Sequence, residues 1–265
     1  MRIAVSRPHF FLLCSLLYSS TVIADENAAK STPPSVTDRY ETLADHDPNG
    51  IGKFYMGREI AFVMGFGPGG QGAAWLERSS REEEERLTLL TRSLNLKPGE
   101  IVADIGAGSG VISLRMAELL LPEGKVLAVD VQDEMLDRLK INCEKFGVTN
   151  VEPVKSTQKS TGLKPASIDM AIMVDVYHEF EFPYEMMTDI AQAVKPGGRV
   201  VLVEYRKEDP SVPIKEVHKM SQVQAKKEVE QPEFGLMWTE TIHVLPRQHI
   251  LVFTKQIAAE SAATR

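Results

Sequence analysis

Residues 102–110 read VADIGAGSG. An apolar run, Ile101–Asp104, enters three glycines spaced by single residues, and the helical pattern GVISLRMAELLL follows. This is a strand, a glycine turn and a helix in direct succession. In such a unit the glycines let the backbone approach a ligand at the carboxyl edge of a sheet. Outward from it the alternation continues. GKVLAVD reads as a second strand, and QDEMLDRLKINCEKFG as an amphipathic helix ending at Gly147, a suitable C-cap. NVEPV is a weak third strand and SIDMAIMVD a strong fourth. FPYEMMTDIAQAVKPGG is a helix closed by Pro and Gly, and RVVLVEY is a fifth strand. Apolar strands alternating with helices predict a mostly parallel sheet covered on both faces. MWTETIHVLP and RQHILVFTK, joined at Pro246–Arg247, predict an antiparallel hairpin at the C-terminal end. The expected fold is α/β, doubly wound and seven-stranded.

A second glycine stretch, GFGPGG at residues 65–70, matches G-x-G-x-x-G letter for letter. Its context fails the pattern. REIAFVM before it shows no clear strand pattern, Pro68 interrupts it, and QGAAWLE follows. It is expected to be a flexible loop and not a pyrophosphate site. The D-x-G-x-G-x-G spacing of DIGAGSG also argues against a nicotinamide dehydrogenase.

Four motifs in order, VADIGAGSG, VLAVDVQ, SIDMAIMVDVYHEF and AVKPGGRVVLVEY, span about Leu96 to Tyr205. Together they resemble the class I S-adenosylmethionine-dependent methyltransferases, and the last is similar to quinone-type and related small-molecule methyltransferases. The resemblance implies a Rossmann-like sheet with S-adenosylmethionine as cofactor. It places the methionine end of the cofactor against Gly106, Ala107, Gly108 and Gly110, with Asp104 ordering the loop and the amino group. Asp130, twenty residues past Gly110, would accept both ribose hydroxyls, and Val131 would pack on adenine. One position departs from the family: Thr157 and Gln158 stand where an Asp-Ala pair is common. The segment YMGREIAFVMGFGPGGQGAAWLER stands where related enzymes carry an N-terminal lid. Its glycines suit a hinge, and Tyr55 and Arg58 are expected to face cofactor or acceptor.

Methyl transfer from a sulfonium is an in-line displacement that gains from alignment, with a base needed only when the acceptor loses a proton. VDVYHEFEFPYE supplies the groups. Asp175 ends the fourth strand, His178 matches a histidine found near the methyl site in family members, and Glu179 flanks it. His178 reads equally as a helix-start residue bonded to backbone. Tyr177 is expected to pack. Glu204, Tyr205 and Arg206 close the fifth strand within reach of substrate, while His218 and Lys219 lie in an insertion whose default reading is a solvated helix. Met56, Met64, Met170, Met173, Met186 and Met187 read mostly as core. No Cys/His spacing of a metal site is present.

A net charge of -7 argues against nucleic acid as the main partner. The resemblance implies a small or lipid-like molecule as acceptor; a non-catalytic protein binding S-adenosylmethionine or S-adenosylhomocysteine is the alternative. Two cysteines allow no disulfide framework, and Cys143 reads as a small buried apolar residue. Arg2 and Arg7, the apolar run Phe10–Tyr18 and the small residues before Asp25 read as an export signal. The run is short for a membrane span. An exported or periplasmic protein is expected, with an uncleaved anchor or a cytoplasmic protein as alternatives. The expected layout is signal 1–24, linker 25–50, lid and helix 51–95, core 96–206, and insertion with hairpin 207–265. The helix SSREEEERLTLLTRSLNL is expected to start with a solvated acidic turn, Glu82–Glu85.

Overall fold

The computed structural model describes residues 39–257. The expected signal 1–24 and most of the expected linker lie outside the described residues.

A small antiparallel sheet comes first, ordered β1 (Tyr40–Thr42), β2 (Gly50–Tyr55), β3 (Arg58–Ala61). β1 and the first residue of β2 fall within the stretch read as linker, and β3 falls in REIAFVM, where no strand pattern was visible. The physical reason is Arg58, a charged side chain in a buried slot of a four-residue strand, which erases the apolar alternation. GFGPGG forms a tight turn at Pro68–Gly70, with Gly67, Gly69 and Gly70 at positive φ, and leads into α1 (Gln71–Leu76). The next helix is broken in two, α2 (Arg81–Glu85) and α3 (Leu87–Ser93), by Arg86 at φ 57°. The break turns two different faces inward. Arg81 and Glu85 are buried in the first piece, Leu87 and Leu90 in the second. The acidic turn is thus only partly solvated, because Glu85 is 1% exposed.

The expected core follows. β4 (Ile101–Ile105), α4 (Val111–Leu119), β5 (Lys125–Asp130), α5 (Asp133–Phe146), β6 (Val151–Lys155), β7 (Ile168–Val174), α6 (Pro183–Ala193) and β8 (Val194–Arg206) alternate as strands and helices except between β6 and β7, which a loop joins. The insertion contains β9 (Lys219–Met220) and α7 (Gln222–Val229), and the hairpin is β10 (Leu236–Ile242) with β11 (Gln248–Lys255). The sheet order is β10-β11-β8-β7-β4-β5-β6, with β9 added beside the end of β8. β11 is antiparallel to both neighbours, while β8, β7, β4, β5 and β6 are parallel. The two-residue β9 is the strand that the seven-stranded expectation lacks.

Residue parity explains the uninterrupted apolar strands. Ala103, Ala171, Met173, Leu202 and Phe253 join one core with Met187 and Ile190 of α6. Val102, Met170, Ile172, Val201 and Val252 join the other with Leu90 of α3 and Met116 of α4. Both faces are covered, so neither parity can be polar. Met170, Met173, Met186 and Met187 are core, as expected. Cys143 is only half-buried on α5. Among the described residues no helix is long and apolar enough to cross a membrane.

Candidate active site

A cavity of about 940 Å³ opens at the carboxyl edge of the parallel strands. It is at the upper end of the range for pockets that take small ligands, about 300–1,000 Å³. One end is built by the glycine turn. Gly106, Gly108 and Gly110 have φ of 75°, 54° and 84°. A Cβ at Gly106 would run into the stiff Val176 side chain, and both Gly106 and Gly108 hold a positive φ that residues with side chains rarely adopt. The Gly106 and Ala107 N–H groups donate to the Val129 carbonyl at 2.8 and 3.0 Å. Gly106 and Gly108 line the cavity. Ala107 lines a small side chamber with Asp104, and Gly110 instead caps α4.

Asp130, at the end of β5, lines the cavity and accepts N–H bonds from Gly108 and Gln132, both at 2.8 Å. Burial raises its pKa, and these backbone donors work in the opposite direction. Each carboxylate oxygen carries one such bond and keeps acceptor capacity for a ligand. Val131, Ser156, Thr157 and Gln158 line the same end. Asp104 does not face the main cavity. It accepts the Ser113 hydroxyl at 2.6 Å and ties β4 to α4, with burial pushing its pKa up to about 6.

The segment expected to be a lid reaches the cavity. Phe62, Val63, Met64, Trp75 and Leu76 line the cavity. Gln132 pins this segment: its side-chain oxygen accepts Phe66 N–H at 2.7 Å, and its amide donates to the Met64 carbonyl at 3.2 Å. The expectation for Tyr55 and Arg58 is corrected, because neither lines the cavity. Tyr55 is 1% exposed and bonds Gln231. Arg58 is clamped by Glu228, donating Nε–H and an Nη2–H at 2.8 and 2.9 Å, and its Nη1 donates to the His178 carbonyl at 3.1 Å. Burial opposes the Arg58 charge, but Glu228 outweighs it and the pKa stands above its ordinary value.

The other end is polar. Asp175, at φ 54°, lines the cavity; its Oδ2 accepts the Gln248 amide at 2.8 Å, while Oδ1 has no partner among the described residues. Burial, with Glu85 and Glu204 nearby, raises its pKa well above the carboxylate range. Glu85 also lines the cavity and takes bonds from Arg78, Arg81 and the Tyr205 hydroxyl. His178 and Glu179 sit in the turn after β7. His178 Nδ1 is 2.6 Å from Glu204 Oε2, and its Nε2 is 3.1 Å from His218 Nδ1. Glu204 also accepts the Tyr177 N–H at 3.1 Å. Burial pushes His178 down to about 4, Glu179 up to about 7 and Glu204 up to about 8. Burial and the neighbouring His178 take His218 down to about 4.

The structure therefore brings Asp175, His178 and Glu179 together and leaves His178 bonded by side chains on both ring nitrogens, not by backbone. Tyr177 packs, as expected, at 0% exposure. Glu204 does not reach substrate, because it is fully buried behind His178. His218 was read as part of a solvated helix. It lies instead on the cavity wall, because β9 pairs Lys219 with Tyr205 and draws the insertion back over the strand ends. Gln132, Arg81 and Glu85 were missed; their only sequence signal was adjacency to Asp130 or to the acidic run.

A sheet with this strand order, a glycine turn at its first parallel strand and an acid at the end of the second define a class of nucleoside-binding α/β protein. A family model described as methyltransferase domain matches residues 96–252. The chain belongs to that family, whose cofactor is S-adenosylmethionine. Over 112 residues it is 33% identical to protein-L-isoaspartate O-methyltransferase of Aeropyrum pernix, covering 41% of this chain and 40% of that protein. It is 26% identical over 116 residues to ubiquinone/menaquinone biosynthesis C-methyltransferase UbiE of Ectopseudomonas mendocina, covering 42% and 44%. The match thus spans less than half the length of these curated relatives. A crystal structure of a SAM dependent methyltransferase from Aquifex aeolicus superposes with a TM-score of 0.65 at 23% identity, over 70% of this chain and 97% of that one. That likeness shows the fold. The residues present fit the cofactor: a glycine turn at positive φ that bares its backbone to the cavity, and a carboxylate with free acceptor capacity beside it.

Proposed function

We propose that this chain transfers a methyl group from S-adenosylmethionine to a small, largely apolar acceptor held in the cavity. The observation that carries the reading is continuity. One cavity joins the glycine cradle and Asp130 to the polar wall of Asp175, His178 and Glu179. When bound, S-adenosylmethionine supplies an electrophilic methyl carbon on a sulfonium. Gly106 and Gly108 would admit its methionine end, and Asp130 would take the ribose hydroxyls. Phe62, Val63, Trp75, Val212 and Ile214 give the acceptor an apolar bed. The polar wall orients the nucleophilic atom and meets the charge or proton it gives up. The volume and the apolar lining support a small molecule over a folded protein as acceptor.

The test uses the purified full chain. Calorimetry is expected to show binding of S-adenosylmethionine and none of NAD. Release of S-adenosylhomocysteine is expected with phenolic, quinol or thiol acceptors and not with peptides. Binding without turnover on any acceptor class would favour the non-catalytic alternative, and binding of NAD alone would remove both.

A further inference from the structure

Three side chains from two separate segments converge on the polar wall. His178 Nε2, His218 Nδ1 and one oxygen of Glu179 all lie within 4.8 Å of one another. The separations are 3.1 Å between the ring nitrogens, 3.9 Å from His178 Nε2 to Glu179 Oε1, and 3.7 Å from His218 Nδ1 to the same oxygen. Ligands about 2.0–2.1 Å from a tetrahedral ion stand about 3.3 Å apart. Movements of roughly half an ångström, well within side-chain freedom, would therefore close all three on one ion. We propose that His178, Glu179 and His218 form a site for a divalent first-row transition ion, with zinc as its best fit.

Four further observations support a built site. His178 Nδ1 is bonded to Glu204, the carboxylate behind a histidine that fixes metal-binding rings. Glu179 is held through its other oxygen, which accepts Met64 N–H at 3.1 Å, leaving Oε1 toward the histidines. Arg58 braces the His178 carbonyl but spends its remaining donors mainly on Glu228, so its charge is already matched. All three ligands line the cavity, so an ion there keeps an open position facing whatever the cavity holds. Two imidazoles and a carboxylate with an open position are the donor set of catalytic zinc and of non-haem iron sites. The site itself stands on this geometry alone. Its use rests on the methyltransferase reading: the ion would bind the acceptor's nucleophilic oxygen, nitrogen or sulfur and favour its deprotonated form, the proton leaving to water.

The experiment strips the full chain with chelator and titrates it with CoCl2, followed by its visible absorption, and with ZnCl2 by calorimetry. One ion per chain is expected, with an intense cobalt spectrum. His218→Ala and Glu179→Gln are each expected to weaken binding at least tenfold and to abolish that spectrum. Glu204→Gln, behind the ligand, is expected to weaken it about 10–100-fold. His218 is 23% exposed in its side chain, so its variant tests the site without opening the core. Absence of saturable binding, or binding equal in wild type and His218→Ala, overturns the proposal and leaves the 3.1 Å contact as a plain hydrogen bond. S-adenosylmethionine affinity measured on the same samples separates the two readings. Cofactor binding without metal binding sinks only the metal site; metal binding without cofactor binding sinks only the methyltransferase reading.

Discussion

Replacing Arg58 by methionine separates two roles that the sequence left confounded. If Arg58 faced the cofactor, its loss would weaken S-adenosylmethionine binding and leave the fold alone. The structure places it elsewhere. Its side chain is 6% exposed, its partner Glu228 is 0% exposed, and the two share paired bonds at 2.8 and 2.9 Å. Removing one member of a buried pair leaves an uncompensated charge and costs about 3–5 kcal/mol. In a domain of this size each kcal/mol shifts the melting temperature by about 2–4 °C, so Arg58→Met should lower it by about 6–20 °C. The double variant Arg58→Met/Glu228→Leu removes the orphaned charge and should recover most of that loss, a coupling that a thermodynamic cycle reads directly. Urea and thermal unfolding supply the stabilities. Calorimetry below the transition supplies the cofactor affinity, expected within about threefold of wild type. Turnover should fall further than affinity, because the Arg58 bond to the His178 carbonyl is lost in both variants. A variant that melts at the wild-type temperature but loses cofactor affinity tenfold would refute this placement of Arg58.

Three other outcomes are expected. Asp130→Ala removes a charged acceptor worth about 1.5–3 kcal/mol per good hydrogen bond, so S-adenosylmethionine affinity should fall about 10–150-fold by calorimetry. Gly106→Ala meets both a positive φ and Val176, and should weaken cofactor binding at least tenfold while Gly147→Ala, far from the cavity and with open space around it, leaves binding unchanged. Asp104 is raised from 3.8 to about 6 by burial, so the folded state holds its proton more tightly than the unfolded chain; its contribution is fully present below pH 4 and is lost as pH rises through about 6. Asp104→Asn should therefore gain stability over wild type as pH rises from 4 to 7, by up to about 3 kcal/mol in urea titrations. A pH-independent difference would show that burial of the charge is not the cause.

The parallel core was legible because both sheet faces are buried. Val102 and Ala103 serve opposite cores, and so do Ile172 and Met173, so the strands read as apolar runs and the glycine turn marks where they end. The cofactor end was legible for a related reason. A backbone at positive φ, passing close to Val176 at Gly106, strongly favours glycine, and that demand is written in single letters. The N-terminal sheet was not legible because Arg58 takes one of its inward positions beside Tyr55, Ile60 and Ala61, satisfied by Glu228 at a separation of 170 residues. No local window contains both halves of such a pair.

Asp175, His178 and Glu179 were legible in one stretch, but the partners of His178, Glu204 and His218, were not, on the same principle. His178 lies 26 residues from Glu204 and 40 from His218. Metal or catalytic spacing is readable when one helix or one loop supplies the ligands, because helical or turn geometry then fixes the interval. Here the interval is set by strand register. β7 and β8 run parallel with Val174 opposite Val203, which brings the turn after β7 beside Glu204. β9 pairs Lys219 with Tyr205, whose other side is taken by Gln248 of β11, so His218 comes to the same edge just beyond the end of β7. Neither pairing has a sequence period, and β9 is only two residues long. The insertion was read as solvated helix because its charges, Lys215, Glu216 and Lys219, mask what its backbone does. Lys219 is in fact 2% exposed, with its ammonium on Glu216 at 2.7 Å. A charge satisfied by a near neighbour can be buried without an apolar signature, and the histidine beside it is carried to the cavity with it.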